Sequence, residues 1–108
     1  MKFYEFKDWL IKEKICTTRK QVSDCASRAK SVEKKFAQIL GDEFDLDSEY
    51  DRDGLQYVRN VLSVYGKNKY MDELMKNVDE SVFPIGNASM GGLSNAILKY
   101  QKFRNAQK

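Results

Sequence analysis

The sequence predicts an all-α protein, a small bundle of four to five helices, and two observations carry this prediction. Apolar residues recur at steps of three and four along most of the chain, which places them on one face of successive amphipathic helices. No segment shows the sustained alternation of apolar and polar residues that a half-buried strand requires. With 108 residues, 42% of them apolar, we expect one domain over residues 1–108, built around a single core.

The first two predicted helices are the most clearly patterned. Residues 2–14 form the first, and we expect Trp9 on its apolar face to anchor it to the next helix rather than to stack on a base. Residues 17–40 form the second, which Thr17 or Thr18 would cap and Gly41 would end. Its apolar stripe consists of Val22, Cys25, Ala29, Val32, Phe36 and Ile39 with Leu40.

The polar face of the second helix is the first candidate for function. At about 100° per residue, Ser23, Ser27 and Ser31 fall in one column. Basic side chains flank this column on both sides: Arg19, Lys30 and Lys34 on one, Lys20, Arg28 and Lys35 on the other. Small hydroxyls bordered by cations match a phosphate backbone. The alternative is an ordinary solvated face.

Residues 41–53 form a strongly acidic stretch, with seven carboxylates and one basic residue. An EF-hand loop aligned on Glu49, Asp51 and Gly54 would place Asn60 where the bidentate Glu is required, so calcium binding is disfavoured. We expect instead that Asp47 or Ser48 opens a new helix, whose positive end favours the neighbouring acids.

Three further helices are predicted, with a less regular spacing of apolar residues. Residues 51–65 repeat apolar positions at helical spacing up to Gly66, and residues 69–78 predict a short helix with methionines as core filler. Residues 81–92 hold the single proline and three of the six glycines, which indicates a connecting loop. A final helix is predicted over 93–107; its apolar side is drawn from Leu93, Ala96, Ile97, Tyr100 and Phe103.

Composition excludes most catalytic chemistry. The chain has no histidine, and no serine or cysteine has an evident base partner, so we expect neither an enzyme nor a metal or cofactor site. Cys16 and Cys25 are expected to be reduced thiols. The amino-terminal residues are too charged for a signal peptide, and no apolar run is long enough to span a membrane, so the predicted location is the cytoplasm.

The net charge of +3 is unevenly distributed along the chain. Residues 1–40 carry ten basic and five acidic residues, and residues 54–108 carry eight and four. The acidic stretch lies between these two basic parts. We therefore expect the positive field to be concentrated on part of the surface.

The order of these signals resembles a known family. An aromatic-rich helix FKDWLIKEK leads into Thr17 and Thr18, then Val22, Asp24-Cys25 and Ser27-Arg28; a far helix reads LSNAILKYQKF from Leu93. This resembles the SAM-like core-binding domain that precedes the catalytic domain of tyrosine recombinases and phage integrases, and related helical modules beside bacterial restriction nucleases. Cys25 stands where that family usually has tyrosine, and these 108 residues contain no counterpart of the recombinase catalytic domain.

The resemblance implies a bundle that clamps DNA from one side without cutting it. It implies that the duplex backbone is contacted by Thr18, Lys20, Ser23, Ser27, Arg28, Lys30, Lys99, Lys102 and Arg104. The helical wheel adds Lys34 to this set. The primary hypothesis is therefore a stand-alone, non-catalytic module that binds DNA through its backbone.

Two alternatives belong to other classes. The chain could be a small interaction protein of phage or plasmid type that inhibits a host nucleic-acid-processing defence complex. Its protein-binding surface would then be the acids Asp42, Glu43, Asp45, Asp47, Glu49 and Asp51. The chain could also be a remnant of an integrase that lost its catalytic half and kept its fold.

Overall fold

The computed structural model describes residues 1–107. All regular secondary structure in this range is helical, and it contains no strand. Within them lie six α-helices: α1 (Phe3–Lys12), α2 (Arg19–Leu40), α3 (Leu46–Asp53), α4 (Gln56–Leu62), α5 (Lys69–Leu74) and α6 (Ser89–Ala106). A 3₁₀ turn covers Val64–Gly66. The predicted all-α class is confirmed. Among these helices, none combines the length and apolar character needed to cross a bilayer.

The long helix α2 is the centre of the bundle, with α1 and α6 packed against it. The Thr18 hydroxyl accepts a hydrogen bond from the Gln21 backbone N–H at 3.1 Å, which confirms one of the two predicted caps. Gly41, at φ 117°, follows the last residue as predicted. The side chains of α2 that are buried are Val22, Cys25, Ala26, Ala29, Val32 and Phe36.

Aromatic rings connect the first helix to the last. Phe6 lies 5.0 Å from the Tyr100 ring and 5.5 Å from the Phe103 ring, measured between centroids. Trp9 packs 5.7 Å from Phe103. Trp9 therefore anchors its helix through a ring contact with α6, a helix with which the sequence did not pair it.

The predicted helix over residues 51–65 is divided into α3 and α4. Gly54 and Leu55 both have φ of 70°, a left-handed conformation that stops α3 and restarts the chain as α4. For Leu55 this costs about 1–2 kcal/mol. Because its side chain is fully buried, which contributes roughly 1.5–3 kcal/mol, burial outweighs the strain. The cap of α3 is Asp45, not Asp47 or Ser48, and it accepts from the Ser48 N–H at 2.8 Å.

The last helix begins four residues before its predicted start. Its first turn is held by the Asn87 side chain, which accepts the Ser89 N–H at 2.9 Å. Gly91 and Gly92, predicted to be loop, lie inside α6, where side chains from other elements pack beside them. A Cβ on Gly92 would lie 3.3 Å from Arg28 Nε, and one on Gly91 would lie 3.6 Å from the Tyr65 ring. The preceding loop is therefore residues 75–88, since α5 ends at Leu74 rather than at residue 78.

Candidate nucleic-acid interface

A groove between α1 and α2 brings together several of the residues predicted to contact nucleic acid. It is a surface cavity of about 310 Å³ lined by Phe3, Ser27, Lys30, Ser31 and Lys34. Its lining combines two hydroxyls, two ammonium groups and one half-buried ring, and none of its described lining residues carries a carboxylate. This groove, hereafter the α1–α2 groove, is positively charged and open to solvent.

The ring of Phe3 organises the cations of the α1–α2 groove. Lys30 Nζ lies 5.2 Å from the ring centroid, and Lys7 Nζ lies 5.5 Å from it. Both distances fit a cation–π contact, which holds the two ammonium groups near one ring. The sequence reasoning missed Phe3 and Lys7 as site residues. Their i,i+4 spacing on α1 is the signal that could have identified them.

Arg28 and Lys99 lie in a different groove, between α2 and α6. That cavity has a volume of about 240 Å³ and also contains Asp24. The Arg28 side chain lies across Gly92. The carboxylate in this lining reduces its positive potential, so this groove is less suited to an anionic partner than the α1–α2 groove.

The remaining predicted contacts on α2 and α6 are scattered. Lys20 and Ser23 are exposed on α2, and Lys102 is exposed on α6. The Thr18 hydroxyl is occupied as the cap of α2. Lys35, which also flanks the serine column, donates to the Val82 backbone carbonyl at 2.8 Å and so fastens the long loop to α2.

Arg104 is engaged inside the protein. Its Nη1 donates to Asp47 Oδ1 at 2.5 Å, its guanidinium lies 4.6 Å from the centre of the Tyr50 ring, and its side chain is 14% exposed. The Tyr100 hydroxyl donates to the same Asp47 oxygen at 2.6 Å and accepts the Lys2 backbone N–H at 2.8 Å. These contacts, hereafter the Asp47 network, join the start of α1, α3 and α6.

Four of the six acids proposed for protein binding have partners within the chain. Asp45 caps α3, and the hydrogen bond from the Ser48 backbone keeps the pKa of its carboxyl below the usual range. Asp47 belongs to the Asp47 network, and Glu49 pairs with Arg52 at 2.7 Å. Asp51 is 76% exposed and lies 3.6 Å from Arg104 Nη2. The other two, Asp42 and Glu43, are exposed in the connection between α2 and α3.

Cys16 and Cys25 are buried free thiols that interact with each other. Burial disfavours the thiolate and raises the pKa of Cys25 from its ordinary 9.0 to about 11; Cys16 adds to this rise, and the cations Lys99 and Arg28 oppose it. A thiol with so high a pKa is a poor nucleophile at neutral pH. Cys25 therefore acts as a core residue.

The pKa of Cys25 predicts a loss of stability at high pH. Between pH 9 and 11 the unfolded chain releases this proton while the folded chain keeps it, so the stabilisation present below pH 9 is lost as pH rises to about 11. We expect the free energy of unfolding to fall by about 2 kcal/mol over this range. Urea titrations across that range measure it. Burial also raises the pKa of Tyr100, so the Cys25→Ala variant is needed as a comparison. Its free energy of unfolding should fall less with pH, by the amount that Cys25 contributes.

Within residues 1–107, no group of three or more cysteine, aspartate or glutamate side chains is arranged to hold a metal ion. Comparisons with protein-family models, with curated proteins and with solved structures find no match to this chain. The resemblance to integrase core-binding domains therefore stays a prediction from the sequence, and the geometry of the α1–α2 groove is the main guide to function.

Proposed function

We propose that the protein is a non-catalytic, cytoplasmic module that binds nucleic acid, DNA in the first instance, through its phosphate backbone. The observation that carries this proposal is the α1–α2 groove, where hydroxyls and ammonium groups converge without a carboxylate in the described lining. The free thiols of Cys16 and Cys25 support a reducing compartment. The resemblance to DNA-clamping domains of phage integrases supports the choice of DNA.

Backbone binding suits the residue types of this surface. Lysine is a point charge on a flexible stem that can follow phosphates of varied geometry, and serine donates one hydrogen bond to a phosphate oxygen. No arginine or amide lines the α1–α2 groove to read base edges by bidentate hydrogen bonds. The expected binding is therefore largely independent of sequence.

The salt dependence of affinity tests the proposal. If Lys7, Lys30 and Lys34 at the α1–α2 groove and the exposed Lys20 of α2 meet about four phosphates, the logarithm of the binding constant should fall with the logarithm of salt concentration at a slope of about −4 on duplex DNA. Fluorescence anisotropy with a labelled duplex and a labelled single strand, between about 50 and 200 mM salt, measures this slope.

Two features of the result decide the outcome. Affinities that agree across unrelated sequences, together with the steep slope, support backbone binding. An affinity for both probes that is unchanged between the two salt concentrations would contradict the proposal, because counterion release has to accompany phosphate contacts.

A second candidate function is protein binding at the tip between α2 and α3. Leu40 is 53% exposed there, beside the exposed acids Asp42 and Glu43. An apolar side chain next to carboxylates suits a basic partner, such as the nucleic-acid groove of a host defence enzyme. Stoichiometric capture of such an enzyme that survives nuclease treatment and is lost with Asp42→Lys would favour this function.

A further inference from the structure

Tyr4 lies beside the α1–α2 groove with most of its ring in solvent. It is 75% exposed, more than any other large apolar or aromatic side chain among the described residues. Its ring meets that of Phe3 edge to face, with centroids 5.3 Å apart and planes at 89°. The ammonium groups of Lys7 and Lys30 lie over the ring of Phe3. An exposed aromatic ring therefore adjoins the cations of the groove.

The surface between α1 and α2, hereafter the seam, continues beyond this groove and has one further cation, Arg19, at its other end. A second cavity of about 230 Å³ lies at the other end of the seam, where Ile11 of α1 meets Arg19 of α2. Its described lining also contains no carboxylate. From Arg19 to Lys34 the helix axis extends about 22 Å, at 1.5 Å per residue. The seam is long enough for a chain of several phosphates.

We propose that this seam binds single-stranded nucleic acid, with phosphates on Lys30 and Lys34 and an unpaired base stacked on Tyr4. The inference rests on the proposed function and specifies its substrate class. A duplex presents only base edges in its grooves, since its base faces are stacked on one another. A single strand presents base faces, and aromatic side chains interleaved with cations are the usual platform for them. In a complex with duplex phosphates alone, the exposed ring of Tyr4 would have no base face to stack on.

The test compares a labelled oligothymidylate with a labelled hairpin duplex at about 50 mM salt, using the full chain and three variants. Tyr4→Ala should weaken oligothymidylate binding about tenfold and leave duplex binding within twofold. Tyr4→Phe should bind oligothymidylate as well as the unmodified protein does, because the aromatic ring makes the stacking contact. Tyr70→Ala is the matched control: Tyr70 is also exposed and has a cation nearby, since Lys69 Nζ lies 5.4 Å from its ring centroid, but it belongs to α5, away from the seam.

The outcomes separate this inference from the proposed function. A preference for the single strand that Tyr4→Ala removes and Tyr4→Phe retains supports the inference. Salt-dependent binding to both probes that Tyr4→Ala does not change would overturn it while leaving backbone binding in place. The absence of salt-dependent binding to either probe would overturn both. Since Tyr4 is exposed, thermal melting should show the same stability for all variants, which excludes unfolding as the cause.

Discussion

Replacing Asp47 with alanine is expected to lower the free energy of unfolding by about 2–3 kcal/mol. One oxygen of this carboxylate accepts from both Arg104 and Tyr100. Its removal leaves the Arg104 guanidinium, 14% exposed, without its nearest anion and the Tyr100 hydroxyl without its acceptor. The cost is below that of a fully buried pair because Asp47 is itself 27% exposed. Urea denaturation at neutral pH measures the difference.

Asp51→Ala is the matched control for this prediction. Asp51 also faces Arg104, at 3.6 Å from Nη2, but it is 76% exposed, so its removal should change stability by less than about 0.5 kcal/mol. Equal losses in the two variants would contradict a specific role for the Asp47 network and would point to the general charge balance of α3 instead.

Reversing the charge of both lysines in the α1–α2 groove is expected to weaken nucleic-acid binding by about 30-fold or more at roughly 150 mM salt. Each phosphate contact contributes about five- to sixfold at this salt through counterion release, so two contacts account for about 30-fold. The new carboxylates of Lys30→Glu/Lys34→Glu would also repel phosphate. The salt slope should become shallower by about 2.

The control for this variant carries the same net charge. Lys69→Glu/Lys76→Glu reverses two exposed lysines in and beside α5, a helix that packs mainly against α4. It should bind nearly as well as the unmodified protein, with an unchanged salt slope. Equal weakening by both double variants would show that only the overall charge matters, and the assignment to the α1–α2 groove would be wrong.

The elements that the sequence predicted well are those with strong local signals. The second helix combines a threonine cap, an apolar stripe and a terminal glycine, and α2 keeps all three. The helix over residues 51–65 has an equally regular stripe, yet it breaks at Gly54 and Leu55. Helical periodicity does not reveal this break: glycine at position 54 adopts the left-handed conformation that ends α3, and the fully buried Leu55 shares that conformation.

Only the part of the candidate site that lies within one helix could be predicted from the sequence. The helical wheel placed Ser27, Ser31, Lys30 and Lys34 together, and the structure has them in one groove. It could not show that Phe3 of another helix completes that groove. Nor could it show that Arg104, which follows Lys99 and Lys102 on the same helix, turns inward to Asp47.

Local sequence by itself determined the all-α class, the central helix and the residues of its polar face, because caps and apolar periodicity act within a few turns of one segment. Only the tertiary structure decided which charges remain available to a partner. The carboxylates of residues 45–49 serve as a helix cap and as counter-charges for Arg52 and Arg104, whereas Lys30 and Lys34 border an open groove. Charge pairing depends on side chains distant in sequence meeting within a few ångströms, and that distance is set by how the helices pack.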